Sequence, residues 1–131
     1  MDNEELIRRI IGAAIAVHKE LGPGFLESIY EAALCMELER LGILFERQKT
    51  VNILFRGKVI GEHRLDLLVE KTVIVENKAV LAMDKIFFSI VRSYLKAANL
   101  KDALLLNFAA MPLTIKRVGS EDAHRYLEAG D

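Results

Sequence analysis

VIVENKAV, residues 73–80, begins as a buried β-strand, with Val73, Ile74 and Val75 in a row and Ala79 and Val80 closing it. Glu76 and Lys78 interrupt the apolar run. Being two apart, they point to the same face of a strand. Asp66 lies ten residues before Glu76, inside RLDLLVE (64–70). A two-residue turn at Glu70-Lys71 would pair Asp66 with Val75 and send Glu76 to the other face. A three-residue loop at Glu70–Thr72 would set Asp66 directly opposite Glu76. Such loops usually carry a glycine in the left-handed position. None is present, so local turn chemistry leaves the register open.

In the three-residue register two carboxylates face each other across a hairpin, with a lysine beside them. Like charges directly opposite destabilise a sheet. A divalent cation would compensate, and Mg²⁺ needs only one or two carboxylates plus water and substrate phosphate. Such an ion activates water and neutralises phosphoryl charge. Lys78 would then orient the water or stabilise the transition state. The plainer alternative has Glu76 and Lys78 facing solvent. Asp66 would then lie opposite Arg47 across a regular hairpin, an ion pair worth about 0.2–1 kcal/mol. Spacing alone favours that alternative, because Asp…Glu-x-Lys is short and common.

Upstream, residues 3–21 carry a helical period, with Leu6, Ile10, Ala13, Ala14, Val17 and Leu21 on one face and Asn3 as the expected cap. LGPGF (21–25) stops that helix. A second helix is expected from about Leu26 to Leu41, with Leu26, Ile29, Ala33, Met36 and Leu41 as its apolar face. Strands follow at 44–55 and 58–69, joined by Arg56-Gly57, and at 73–78. A helix over 84–98 is expected to use Ile86, Ile90, Val91 and Tyr94. ALLLNFA (103–109) reads as a central strand, PLTIKRV (112–118) as a fifth, and 120–131 as a weak helix. The order ααβββαββ implies an α/β or α+β fold on one mixed sheet.

The chain has 131 residues, 52% hydrophobic and 28% charged, which suits one domain spanning 1–131. Lys+Arg number 18 against 19 Asp+Glu, so no general grip on nucleic acid shows in the total charge of −1. A local basic strip does exist. Residues 45–64 hold Arg47, Lys49, Arg56, Lys58 and Arg64 against Glu46 and Glu62, a net +3. Lys85, Arg92, Lys96 and Lys101 add cations on or after the third helix. Cys35 is the one cysteine, which excludes an internal disulfide. The N-terminus is acidic rather than signal-like, and Ile10–Val17 is too short to cross a bilayer. A cytoplasmic protein without membrane contact is expected. His18, His63 and His124 show no metal-ligand spacing, and Gly22 and Gly24 form no phosphate loop.

GFLESIY contains G-x-x-E-x-x-Y as Gly24, Glu27 and Tyr30. By default Glu27 complements a helix dipole and Tyr30 is a half-buried core tyrosine. Followed in order by RLDLLVE, VIVENKAV, SYLKAANL, LLLNFA and IKRV, however, the motif resembles the GxxExxY protein family, a branch of the PD-(D/E)xK nuclease superfamily, over about residues 4–118. The resemblance implies a PD-(D/E)xK nuclease-like mixed β-sheet flanked by helices. It implies Mg²⁺, with Mn²⁺ as a substitute, held by Asp66, Glu76 and Glu27, with Lys78 as the catalytic lysine. It also favours the three-residue register. Two departures stand out. Leu65 precedes Asp66 where the superfamily name has Pro. Ile90 stands four residues before Tyr94, where related sequences often carry Gln, and Phe87 and Phe88 stand where a His or Glu is common. The implied activity is hydrolysis of phosphodiester bonds in DNA. The alternative is a non-catalytic nucleic-acid-binding or homodimeric assembly module, dimerising through the apolar face at 86–91. RNA as substrate is not distinguished.

Overall fold

The first helix, α1 (Asn3–Leu21), is capped by Asp2, whose side chain accepts from Glu5 N. Asn3 was the expected cap. It is the first helical residue instead, and its amide donates to Asp102 at 3.0 Å. The predicted face is the buried one at Leu6, Ile10, Ala13, Ala14 and Val17, with its last member, Leu21, half-buried. α2 (Glu27–Arg40) differs from expectation. Tyr30, Glu31, Leu34, Cys35 and Leu38 are buried, whereas Leu26, Ile29 and Met36 are exposed. The helix carries apolar residues all round, so periodicity could not choose the face. The choice falls to Tyr30, which stacks on Phe108 with ring centroids 4.5 Å apart.

The computed structural model describes residues 1–120, so the helix expected over 120–131 lies, beyond Ser120, outside the described residues. Five strands form one sheet in the order β1 (Phe45–Phe55), β2 (Lys58–Val69), β3 (Val73–Lys78), β4 (Asp102–Asn107), β5 (Thr114–Gly119). β3 and β4 are parallel and the other neighbours antiparallel. α3 (Lys85–Ala98) makes the crossover that a parallel pair requires. The observed order is the predicted ααβββαββ. β4, expected to be central from its apolar run, is an interior strand between β3 and β5.

The sheet separates two cores. Leu67, Val69, Val73, Val75, Leu104 and Leu106 pack toward α1 and α2. Leu65, Leu68, Ile74, Ala103 and Leu105 pack toward Val91 and Leu95 of α3. The face predicted for α3 is corrected in part. Val91 is buried and Tyr94 half-buried, but Ile86 and Ile90 reach solvent.

Both hairpins bear on the site. Arg56 and Gly57 have φ 51° and 79°, the doubly left-handed turn expected of a two-residue connection. The hairpin is nevertheless not regular. Ile53 pairs Gly61 while Leu54 pairs Val59, so Ile60 is an extra residue. That bulge shifts the lower register by one and sets Arg47 opposite Leu67 rather than Asp66. Between β2 and β3, Val69 pairs Val73, so the loop is the three residues Glu70–Thr72. Glu70 and Lys71 both adopt the left-handed conformation, φ 50° and 59°. Each would cost about 1–2 kcal/mol without compensation. Glu70 is tied to Leu44 in both directions: its N donates to Leu44 O at 2.9 Å, and its carboxylate accepts from Leu44 N at 3.1 Å.

Candidate active site

The register carries Asp66 and Glu76 to the point where β2 parts from β3. The last paired residues are Leu67 and Val75. Beyond them side chains replace the backbone ladder. Asp66 N donates to Glu76 Oε1 at 3.0 Å, and Asn77 N donates to Asp66 Oδ2 at 2.9 Å. The two strands therefore stay together through carboxylates rather than carbonyls.

An irregularity in β1 helps to place Asp66. The β1–β2 ladder skips Gln48, which has φ 54°. Its side chain donates to Glu31 at 2.8 Å, and Arg47 Nε donates to the same carboxylate at 2.7 Å. Glu31, buried on α2, thus draws this part of β1 toward the α1–α2 side. Across from Gln48 the facing alternation of β2 breaks, since Leu65 packs toward α3 and Leu67 toward α1 and α2. Asp66 sits at that break. The Asp66–Arg47 ion pair therefore does not form; Arg47 serves Glu31 instead.

Glu76 is only 5% exposed. Burial, and then the neighbouring Asp66 carboxylate, push its pKa up to about 8. Asp66 is pushed up as well, chiefly by burial, against the pull of its hydrogen bonds to Asn77 and Glu76. At neutral pH the pair keeps a proton where two ionised carboxylates would repel. Glu76 and Lys78 share a face, and the solvent-facing alternative for Glu76 is excluded by its burial. Lys78 Nζ lies 4.7 Å from the ring centroid of Phe87, a cation–π contact that holds the ammonium beside the carboxylates.

Glu27 lies in the first turn of α2 and accepts a hydrogen bond from Ala79 N at 3.2 Å, just past Lys78. Among the described residues no three His, Cys, Asp or Glu side chains stand close enough to hold a metal ion. Asp66 and Glu76 form a pair, with Glu27 at the end of the same strand. The donor set nevertheless fits a hard divalent cation. A buried and a half-buried carboxylate, both pushed toward the protonated form chiefly by burial, are oxygen donors of the kind a hard divalent cation takes, with water and phosphate oxygens for its remaining positions.

Tyr30 is fully buried rather than half-buried. Its hydroxyl donates to Gly22 O at 2.5 Å and accepts from Phe25 N at 3.1 Å. The tyrosine therefore ties down the loop that leads into α2, where Gly24 has φ 115°. G-x-x-E-x-x-Y thus works as a unit: the glycine permits the turn, the tyrosine holds it, and the glutamate between them reaches Ala79 just past the end of β3.

Three contributors were not assigned a role from the sequence. Tyr94 faces the pair, and its phenol pKa is raised by burial and then by Glu76 and Asp66. His63 packs edge-on against Tyr94 with centroids 4.4 Å apart. Asn107 clamps the chain after β3. Its side chain donates to Val80 O at 2.9 Å and accepts from Val80 N at 3.1 Å. LLLNFA carried the only signal for it, a lone amide in an apolar strand. Phe87, noted as a departure from related sequences, is what Lys78 rests on.

A family model described as the PD-(D/E)XK nuclease superfamily matches residues 4–118. Among solved structures, the crystal structure of SSO0001 superposes with a TM-score of 0.55 at 16% sequence identity, covering 70% of this chain and 48% of that one. The chain thus spans about half the length of SSO0001, and the likeness is one of fold. No curated protein matches the sequence.

Proposed function

Because the chain belongs to the PD-(D/E)XK nuclease superfamily, we propose that it is a Mg²⁺-dependent nuclease that hydrolyses phosphodiester bonds in DNA, with Mn²⁺ able to substitute. The observation that carries this reading is the pair of buried Glu76 and half-buried Asp66, both raised in pKa chiefly by burial, with the Lys78 ammonium on the same face. Asp66 and Glu76 would hold the ion. Glu27 would join them by giving up its bond to Ala79 N. A divalent cation bound there supplies charge neutralisation at the scissile phosphate and a more acidic water.

The chain's own groups do the remainder. Lys78 orients the attacking water in line with the scissile bond and meets charge developing on the non-bridging oxygens. Phe87 limits where the ammonium can sit. Tyr94 and His63 wall the pair on the α3 side, which keeps the carboxylates desolvated. A second property is proposed for α3: exposed Ile86 and Ile90 would form a homodimer contact over 86–91.

The test combines cleavage of plasmid and synthetic duplex in Mg²⁺ or Mn²⁺ with calorimetric titration of Mn²⁺. Lys78→Ala should lower cleavage by about 10²–10³-fold while leaving Mn²⁺ affinity intact. Glu76→Ala should abolish both. Cleavage by Lys78→Ala at the wild-type rate would remove Lys78 from the chemistry, and Mn²⁺ binding unaffected by Glu76→Ala would remove the site.

A further inference from the structure

The β1–β2 hairpin extends well past the sheet. β3 pairs only with Leu67–Val69, so from Lys58 to Asp66 the strand β2 has β1 as its sole strand neighbour among the described residues. The end of this ribbon is apolar and bare. Leu54, Phe55, Val59 and Ile60 are 62%, 57%, 60% and 65% exposed. An exposed apolar strand end invites aggregation unless charges guard it or a partner covers it. Here the charges are all of one sign. Arg56 and Lys58 stand among the four apolar side chains, and the Arg56 guanidinium lies 5.1 Å over the Phe55 ring. Exposed Arg64 follows along the ribbon, with Glu62 the one acid between Lys58 and Asp66. The basic strip seen in the sequence is thereby redistributed. Arg47 is committed to Glu31 and Lys49 to Glu46, so the remaining cations lie toward the tip.

We propose that this tip enters the major groove of duplex DNA, with Arg56 and Lys58 on flanking phosphates and Leu54, Phe55, Val59 and Ile60 against base edges. The inference rests on the nuclease reading for its nucleic acid, and adds which strand form is bound and where. A B-form major groove, about 12 Å wide, admits a two-stranded ribbon; the A-form groove of duplex RNA is too narrow. A second copy of the chain fits less well. A two-fold contact through the tip would gather the Arg56 and Lys58 cations of both copies in one interface without an acid at the tip to offset them. Lys58 stands eight residues from Asp66, about 26 Å at ~3.3 Å per residue. That span is about eight base pairs at ~3.4 Å each.

The experiment is fluorescence anisotropy with a labelled 30-base-pair DNA duplex in chelator, over a salt series. Arg56→Ser with Lys58→Ser should reduce the slope of log affinity against log salt by about 1.8 and weaken binding about 60-fold at 0.1 M salt. Phe55→Ser should weaken binding with the slope unchanged. All three positions are exposed, so the fold should survive, and Mn²⁺ titration should match wild type. Shortening the DNA to fewer than about eight base pairs beyond the cleavage position should erase the difference between wild type and the tip variants. Tip variants that bind like wild type, or equal affinity for duplex RNA, would overturn the proposal. So would a change of oligomeric state with duplex binding intact, which would assign the tip to a second copy. A wild type that binds through the tip yet cleaves nothing would overturn the nuclease reading alone. Cleavage with tip-indifferent binding would overturn the tip alone.

Discussion

Replacing Glu76 by glutamine should make the metal-free protein more stable at neutral pH, although it removes a central residue of the site. In the folded chain the Glu76 carboxyl titrates at about 8, against 4.5 for the ordinary group. Below pH 4.5 folded and unfolded chains both hold the proton, and ionisation costs nothing. As pH rises toward 8 the unfolded chain releases its proton while the folded chain retains it, so stability falls across that window. At pH 7 the gap spans two and a half decades of proton affinity, about 3.5 kcal/mol at ~1.4 kcal/mol per decade. The amide never ionises, yet its oxygen can still accept from Asp66 N and its NH₂ can donate to the Asp66 carboxylate, which the Glu76 carboxyl already meets. Glu76→Gln should therefore gain up to about 3.5 kcal/mol at pH 7 and lose most of the dependence between pH 5 and 8. Urea unfolding followed by circular dichroism at pH 5, 6, 7 and 8 in chelator measures both quantities. A variant less stable than wild type at pH 7, or one with an undiminished pH slope, would show that the carboxylate is not strained in the apo fold.

The same linkage sets the remaining outcomes. Mn²⁺ must displace the proton shared by Asp66 and Glu76, so its affinity should rise with pH from 6 toward 9, measured by calorimetry; a flat profile would mean that the pair is already ionised. Tyr30→Phe removes bonds to Gly22 O and Phe25 N and should cost about 1–2 kcal/mol of unfolding free energy. Its Mn²⁺ affinity should weaken only if Glu27 is a ligand, which isolates that role. For the proposed dimer, Ile86→Glu with Ile90→Glu should leave stability near wild type and shift mass by light scattering from dimer to monomer. Phe88→Glu is a poorer probe because Phe88 packs against the α3-side core.

The strands were readable because their periods and the Arg56-Gly57 turn are written locally. The pairing of Asp66 with Glu76 is not written locally, and only the family resemblance favoured it. No glycine marks the loop between them, and Glu70 reaches its left-handed conformation through bonds to Leu44, which is 26 residues away in the chain. The Arg47–Asp66 alternative requires a regular hairpin, and the bulge at Ile60 shifts that register. α2 and α3 misled for a related reason. Leu26, Ile29, Met36, Ile86 and Ile90 are as apolar as the residues buried in their place, so hydrophobicity could not rank the faces. Polar side chains in the interior settle what apolar ones leave open. Tyr30 turns α2 by holding Gly22, Glu31 bends β1 at Gln48, and Asn107 fixes Val80 beyond Lys78. Each of these contacts acts on a backbone that supports Glu27, Asp66 or Lys78. Buried Tyr30, Glu31 and Asn107 thus help to aim charges, and the energetic strain at Glu76 is what the proposed cation would relieve.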